Sequence, residues 1–497
     1  MIVGPARTSR IVLATLFCLV LTVEAPHAQS KPDPEAARLV GAMLGETPLE
    51  RDLRELVDGI GGRATGSAAN LASVEWGLAK FAEAGVQAVK ESFEMPRYWQ
   101  ERSASAVIGG DASFPARIVA MPFSPGTPPE GITAPLVAVG RGSDEDLARA
   151  GSSIKGAFIF VETDLLVDID GLFKEYGEAA ALEQSVQGSG VKGIVYMGSR
   201  ADVMLYRHNA SLGEKNTIPM MSMAREHALR VQRLLKAGKS LTLSAKLDVD
   251  DRGPYESFNV IGEIRGSEKP NEVVIIGAHL DSWDLGTGAN DNGCNVVMMI
   301  DIARQIKALK LAPKRTIRFA LWNGEEQGMI GSWKYVERHR AELKDHILAG
   351  SVDVGSGRIV GMFTNGRPEL SGELESALKP VKGLGPFTHI DEPIVGTDNY
   401  DFMLQGVANI VANHEPANYG PSYHAESDNF DKVHLPSLRT NAAIMAAVVW
   451  HFANAAPAMP RHSQEQVQRL IDGTSLRQQM DMFNLYSAWV DGSRSWR

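Results

Sequence analysis

The stretch "NEVVIIGAHLD", residues 271–281, runs an almost unbroken apolar segment straight into a histidine and an aspartate. A strand with one wet face alternates apolar and polar residues, whereas a strand covered on both faces does not need to. The run therefore reads as a buried strand whose far end carries His279 and Asp281. The chain beyond it repeats the theme. "GCNVVMMIDIARQIKALKL" (293–311) has helical spacing, "RTIRFALWN" (315–323) is strand-like, "SWKYVERHRAEL" (332–343) is helical, and "HILAGSVDVGS" (346–356) is strand-like again. Strands alternating with helices imply an α/β fold with a mixed, mostly parallel sheet covered by helices.

Upstream, "ETPLERDLRELVDGIGG" (46–62) and "SAANLASVEWGLAKFAEAGV" (67–86) carry apolar residues at helical spacing around a glycine-rich turn. Between them and the α/β pattern lie short β-branched runs divided by Gly and Pro, such as "ARIVAMPFS" (116–124), "GAFIFVE" (156–162) and "KGIVYMG" (192–198). The early helices have no strands of their own to cover. The expected organisation is thus an α/β domain in two pieces, 36–104 and 251–460, a β-rich domain inserted at 105–250, and a polar helical arm at 461–497 that is either packed or an interface.

With 497 residues, 44% apolar and 22% charged, the chain has material for more than one core. Its formal charge of −10 disfavours a protein that binds by neutralising phosphates, so no nucleic-acid partner is expected. Arg7 and Arg10, the apolar run 11–23, and small residues near Ala25 and Ala28 have the layout of a secretory signal peptide over residues 1–28. Export, to the periplasm or outside the cell, follows, with no membrane attachment once the signal is removed. Cys294 is then the single remaining cysteine and can form no internal disulfide.

In an open α/β sheet, functional side chains gather beyond the carboxyl ends of the strands. His279, Asp281, Asp291, Glu325, Glu326 and Asp353 all lie at such places, and His424 sits in a later loop, "NYGPSYHAESDNF" (418–430). Each alone is an ordinary surface or capping residue. Together they crowd carboxylates where repulsion and desolvation disfavour them, and a cation removes that objection. Imidazole and carboxylate donors without thiolate suit Zn²⁺, with Mn²⁺ or Co²⁺ able to substitute. His279, Asp291, Glu326, Asp353 and His424 exceed the roughly three protein ligands of one catalytic zinc. Two metals sharing a carboxylate, about 3.5–4 Å apart, use them all.

The segments "HLDSWDLGTGANDNG" (279–293), "LWNGEEQG" (321–328), "SVDVG" (351–355) and "YHAESD" (423–428), with "VDGIGGRATGS" (57–67), resemble the co-catalytic zinc aminopeptidase family, most closely its carboxypeptidase Q branch. The resemblance spans most of the chain beyond the signal and leaves out the arm after 460. It implies a zinc exopeptidase fold with a protease-associated domain as the insert. It also implies two Zn²⁺ per chain: His279 and Asp353 on one, Glu326 and His424 on the other, and Asp291 bridging. By the same resemblance Asp281 orients His279 by accepting its hydrogen bond, Glu325 is the general base, and a homodimer is expected. One departure is Asn292, where relatives carry a second acidic residue. The implied activity is hydrolysis of dipeptides or short peptides with a free N-terminus. Two rivals are a catalytically silent binding protein on this fold and an aminoacyl cyclotransferase with one zinc. Cys294 invites a nucleophile reading, but a cysteine beside "NVVMMI" packs as a small apolar residue.

Overall fold

In the computed structural model the described residues are 33–208 and 215–495. The expected signal segment, residues 1–28, lies outside them. One sheet has seven strands in the order Gln87–Met95, Tyr255–Ile264, Arg315–Trp322, Lys269–His279, His346–Ser351, Asn409–His414 and Ile359–Phe363. Its four consecutive members from Arg315–Trp322 to Asn409–His414 are parallel, and antiparallel pairs close both edges. The apolar run read first is central. Val274, Ile276 and Ala278 pack under helices Cys294–Ala308 and Leu435–Asn454, while Val273 and Ile275 face Tyr335, Val336 and Phe402 on the opposite side. Alternate residues of a strand point to opposite faces, so both must be apolar when both are covered.

The early helices Pro34–Met43 and Ala68–Glu83 belong to this layer, contributing Leu39, Val40, Val74 and Phe81 to the same core. Asp33 caps the first by accepting from Glu35 N at 2.9 Å and Ala36 N at 3.3 Å, with Pro34 in the first turn, where its missing N–H costs nothing.

The second sheet has eight strands, in the order Phe114–Ala116, Tyr98–Gly110, Leu241–Arg252, Ile132–Ala138, Phe158–Val161, Gly193–Met197, Met220–Met223 and Ile118–Ala120. Two features depart from expectation. The strand Tyr98–Gly110 crosses the anticipated boundary at 104/105. The segment is also not simply β-rich: four of its strands are parallel, and helices Asp144–Ala150, Ile169–Ser185 and Arg225–Lys236 accompany them. Parallel neighbours cannot be joined by tight hairpins and need crossover connections, usually helical ones.

The C-terminal helices Gln464–Gly473, Leu476–Met482 and Tyr486–Asp491 pack Val467, Ile471, Met480 and Trp489 on Met329, Val395, Tyr400 and Met403. Arg494 ends the arm in a buried fork. It donates to both Asp401 carboxylate oxygens at 2.9 and 2.6 Å, to Gly328 O at 3.0 Å and to Met329 O at 3.3 Å. The arm thereby braces the loop that carries Glu325 and Glu326. Among the described residues no helix is long and apolar enough to cross a membrane.

Arg494→Ala leaves Asp401 buried without its counter-charge, which costs about 3–5 kcal/mol when one partner of a buried pair is removed. Urea unfolding should show that loss, and an unchanged midpoint would mean the arm does not brace the fold.

Candidate metal centre

His279 ends its strand with its ring turned back on the chain, Nδ1 lying 2.9 Å from the Asp281 carbonyl oxygen. A carbonyl only accepts, so Nδ1 carries the proton and Nε2 presents its lone pair. That lone pair faces Asp353 Oδ1 at 2.9 Å and Asp291 Oδ1 at 3.2 Å. His424 repeats the arrangement: Nδ1 is 3.1 Å from Arg207 O, and Nε2 faces Glu326 Oε2 at 2.8 Å and Asp291 Oδ2 at 3.4 Å. Two groups result, His279 with Asp291 and Asp353, and Asp291 with Glu326 and His424, each with ligand atoms within 4.8 Å of one another. Asp291 belongs to both. All five side chains are buried.

Lone pair against carboxylate is repulsive unless a proton or cation lies between. Taken on the protein's own groups, burial holds the His424 imidazole down to about 4, with Asp291 only partly opposing it, so the ring itself does not carry a second proton near neutrality. For His279 burial also pushes down, but Asp353, Asp281 and Asp291 outweigh it and hold the ring well above its usual value. Burial likewise pushes the Glu326 carboxyl up. A divalent cation in each group would resolve both contacts, and these nitrogen and oxygen donors are ones that would hold zinc.

Glu325 is adjacent in sequence but placed differently. Gly324, at φ 74, takes the left-handed turn at the strand end, and a Cβ there would fall 2.7 Å from Met95 Sδ. After that turn Glu326 enters the metal cluster, while Glu325 is only half-buried and its N–H reaches Asp281 Oδ1 at 3.4 Å. Enough protein surrounds its carboxyl that burial pushes it well up, with His279 pulling the other way.

The expected contact of Asp281 needs correcting. His279 donates to the Asp281 carbonyl, whereas the carboxylate Oδ1 lies 3.7 Å away. Oδ2 instead accepts from Thr65 Oγ1 at 2.7 Å. A ring two residues earlier on the strand reaches the backbone more readily than a side chain already engaged elsewhere. Asn292 also gains a reason. Its amide donates to Val352 O at 2.9 Å and its carbonyl accepts from Asn295 Nδ2 at 2.6 Å, tying the Asp291 turn to the strand that delivers Asp353. A carboxylate could not make the first of these bonds.

Other contributors had little sequence signal. Arg63, fully buried, donates to the carbonyls of Gly61, Leu280, Thr287 and Gly288 at 2.6–2.8 Å and so shapes the loop from His279 to Asp291. Its place in "GIGGRATGS" was the available hint. Asp428 accepts the backbone N–H of Asn290 and Asp291 at 2.7 and 3.1 Å, and Tyr419 OH donates to Asp353 O at 3.2 Å. Trp283 packs edge-on to His424 and to Trp99, so it walls the site and fills a core at once. Cys294 is buried, with Sγ 3.6 Å from Asn290 O and its thiol pushed up by burial, the opposite of an activated nucleophile.

Comparison with known proteins points the same way. Residues 259–449 match the model of peptidase family M28. Rat carboxypeptidase Q is 29% identical over 412 residues, covering 82% of this chain and 85% of the relative, and the human protein is 26% identical over the same shares. A probable lipoprotein aminopeptidase of Mycobacterium tuberculosis is 26% identical over 84% of this chain. Among solved structures, the M28 peptidase precursor of Shewanella amazonensis superposes with a TM-score of 0.78 at 29% identity, covering 86% of this chain and 98% of that one. A zinc aminopeptidase of Bacillus subtilis, at 21% identity and a TM-score of 0.65, shares the fold. The region that matches peptidase family M28 contains His279, Asp291, Glu326, Asp353 and His424, all five groups of the candidate metal centre.

Proposed function

We propose that this chain is an exported di-zinc exopeptidase that hydrolyses dipeptides or short peptides with a free N-terminus. The carrying observation is the pair of histidine and carboxylate groups joined through Asp291, with Glu325 held beside them and outside both. In this reading His279 and Asp353 would hold one zinc and Glu326 and His424 the other, with Asp291 shared between them; Mn²⁺ or Co²⁺ could take their places. The ions supply Lewis acidity towards a water molecule and the scissile carbonyl. Glu325 takes a proton from the attacking water and delivers it to the leaving amine, for which an elevated carboxyl pKa is suited. Asp281 serves through its backbone, keeping His279 in the Nδ1–H tautomer, and through its carboxylate, holding Thr65 and the Glu325 N–H.

The names of the relatives, carboxypeptidase Q and a lipoprotein aminopeptidase, support exopeptidase chemistry outside the cytoplasm. The two sheets support a division in which the protease-associated insert starts at the Tyr98–Gly110 strand rather than at 105, with the catalytic part on either side and 461–497 as a packed arm. A homodimer remains part of the proposal. A silent binding protein would have no use for a half-buried carboxylate beside a complete donor set, and a one-zinc cyclotransferase would leave one group idle.

Amino-acid release from a panel of dipeptides and tripeptides, with bound metal counted, tests this reading. Chelator-insensitive release, or none at all, would reject it. Glu325→Gln should keep both metals while turnover falls about 10²–10⁴-fold. Glu326→Gln should lose metal at one site, and equal metal loss in both variants would refute the division of roles. Cys294→Ser should retain activity, and Cys294 in the folded wild type should resist a thiol reagent until denaturant is added.

A further inference from the structure

The two histidines are oriented by different parts of the chain. His279 leans on a carbonyl two residues further along its own loop, but His424 leans on Arg207, 217 residues earlier, in the segment of the second sheet. That segment runs alongside the His424 loop. Arg207 N donates to His424 O at 2.9 Å, Glu426 N donates to Leu205 O at 3.0 Å, and Tyr206 and Ala425 form an antiparallel bridge. His424 itself sits at φ 57, a conformation that residues other than glycine keep only when neighbours hold it.

The Arg207 side chain is buried and gripped on three sides. Nε and Nη2 donate to the two Asp284 carboxylate oxygens at 2.8 and 2.9 Å, and Nη1 donates to Glu101 Oε2 and Ala120 O, both at 2.9 Å. The guanidinium also lies 5.4 Å from the Trp99 ring centroid. Glu101 and Ala120 belong to strands of the second sheet, and Asp284 belongs to the loop between His279 and Asp291. The planar fork of arginine matches a carboxylate in a way that the single ammonium of lysine does not.

We propose that Arg207 is a positioning residue for the site formed by Asp291, Glu326 and His424. Its clamped side chain fixes the carbonyl that receives the His424 Nδ1 proton, so that Nε2 is aimed at Glu326 and Asp291. Donation from the far ring nitrogen sets the tautomer and raises the basicity of the ligating one. The inserted segment thereby orients His424, whereas His279 is oriented from its own loop. Arg63 holds the carbonyls of Leu280, Thr287 and Gly288 without help from Arg207, so His279 and Asp353 should keep their arrangement when the clamp is lost. The inference rests on the two-metal reading above.

The test is zinc competition against a chromophoric chelator, with Co²⁺ absorption spectra as a second readout, on the full chain and on Arg207→Ala, Arg207→Lys and Asp284→Asn. Wild type should bind two ions. Arg207→Ala should weaken one site about 10–100-fold and leave the other unchanged, as loss of an orienting partner does. Arg207→Lys should fall in between. Adding Glu326→Gln to Arg207→Ala should not weaken the surviving site, which identifies the affected one. If Arg207→Ala fails to fold by circular dichroism, Asp284→Asn, which keeps the size of the group and removes its charge, should show the same selective weakening. Equal weakening of both sites, or none in a folded variant, would overturn this role for Arg207 while leaving the two-metal reading intact. Fewer than two ions on wild type would overturn both.

Discussion

Two imidazole nitrogens that face carboxylate oxygens at 2.8–2.9 Å, each with its proton committed to a carbonyl on the far side, are the constraint around which this molecule is organised. Such contacts need a proton or a cation between the two groups, and a divalent cation in each group would satisfy all of its donors at once. All five groups are buried, so their charges are not screened by water.

The surrounding structure positions these groups. The central parallel strands, apolar on both faces, end at His279, just before Glu325 and Glu326, and just before Asp353. Loops deliver Asp291 and His424, and the groups that fix those loops are themselves charged or strongly polar: Arg63 under the His279 loop, Asp428 under the Asp291 turn, Arg207 behind His424, and Arg494 behind the glutamate loop. Each is buried and each bonds to backbone carbonyls or N–H groups, so the loops of the site are tied down by side chains where regular elements end. Preorganisation of this kind keeps ligand geometry from drifting.

Much of this was legible in one dimension. Periodicity announced the buried strands and the helices that cover them, and the donor residues stood out because they clustered at strand ends. The insert was read less well. Its short strands show in the sequence, but the helices between them do not stand out, and Tyr98–Gly110 runs through position 104 because a long strand with alternating polar residues has no local signal for a domain change. His279 meets the Asp281 carbonyl and not its carboxylate, a choice of atom that sequence spacing does not carry. Asn292, a mere departure from the pattern, is a hydrogen-bond donor to Val352 O that no acidic residue could replace.

The sequence by itself determined the α/β layering and the chemical identity of the donors, because burial periodicity and residue type are properties of the chain alone. Only the tertiary structure decided how those donors divide, which atoms face one another, and which distant residues orient them. Asp291 belongs to both groups, and His424 depends on a carbonyl 217 residues away, because loops closed over such separations carry no periodic trace of their partners. The adjacent glutamates show both halves of this. Their presence at the end of an apolar strand is written in the chain, whereas the turn at Gly324 that sends Glu326 into the cluster and leaves Glu325 at its edge is a matter of backbone geometry and packing.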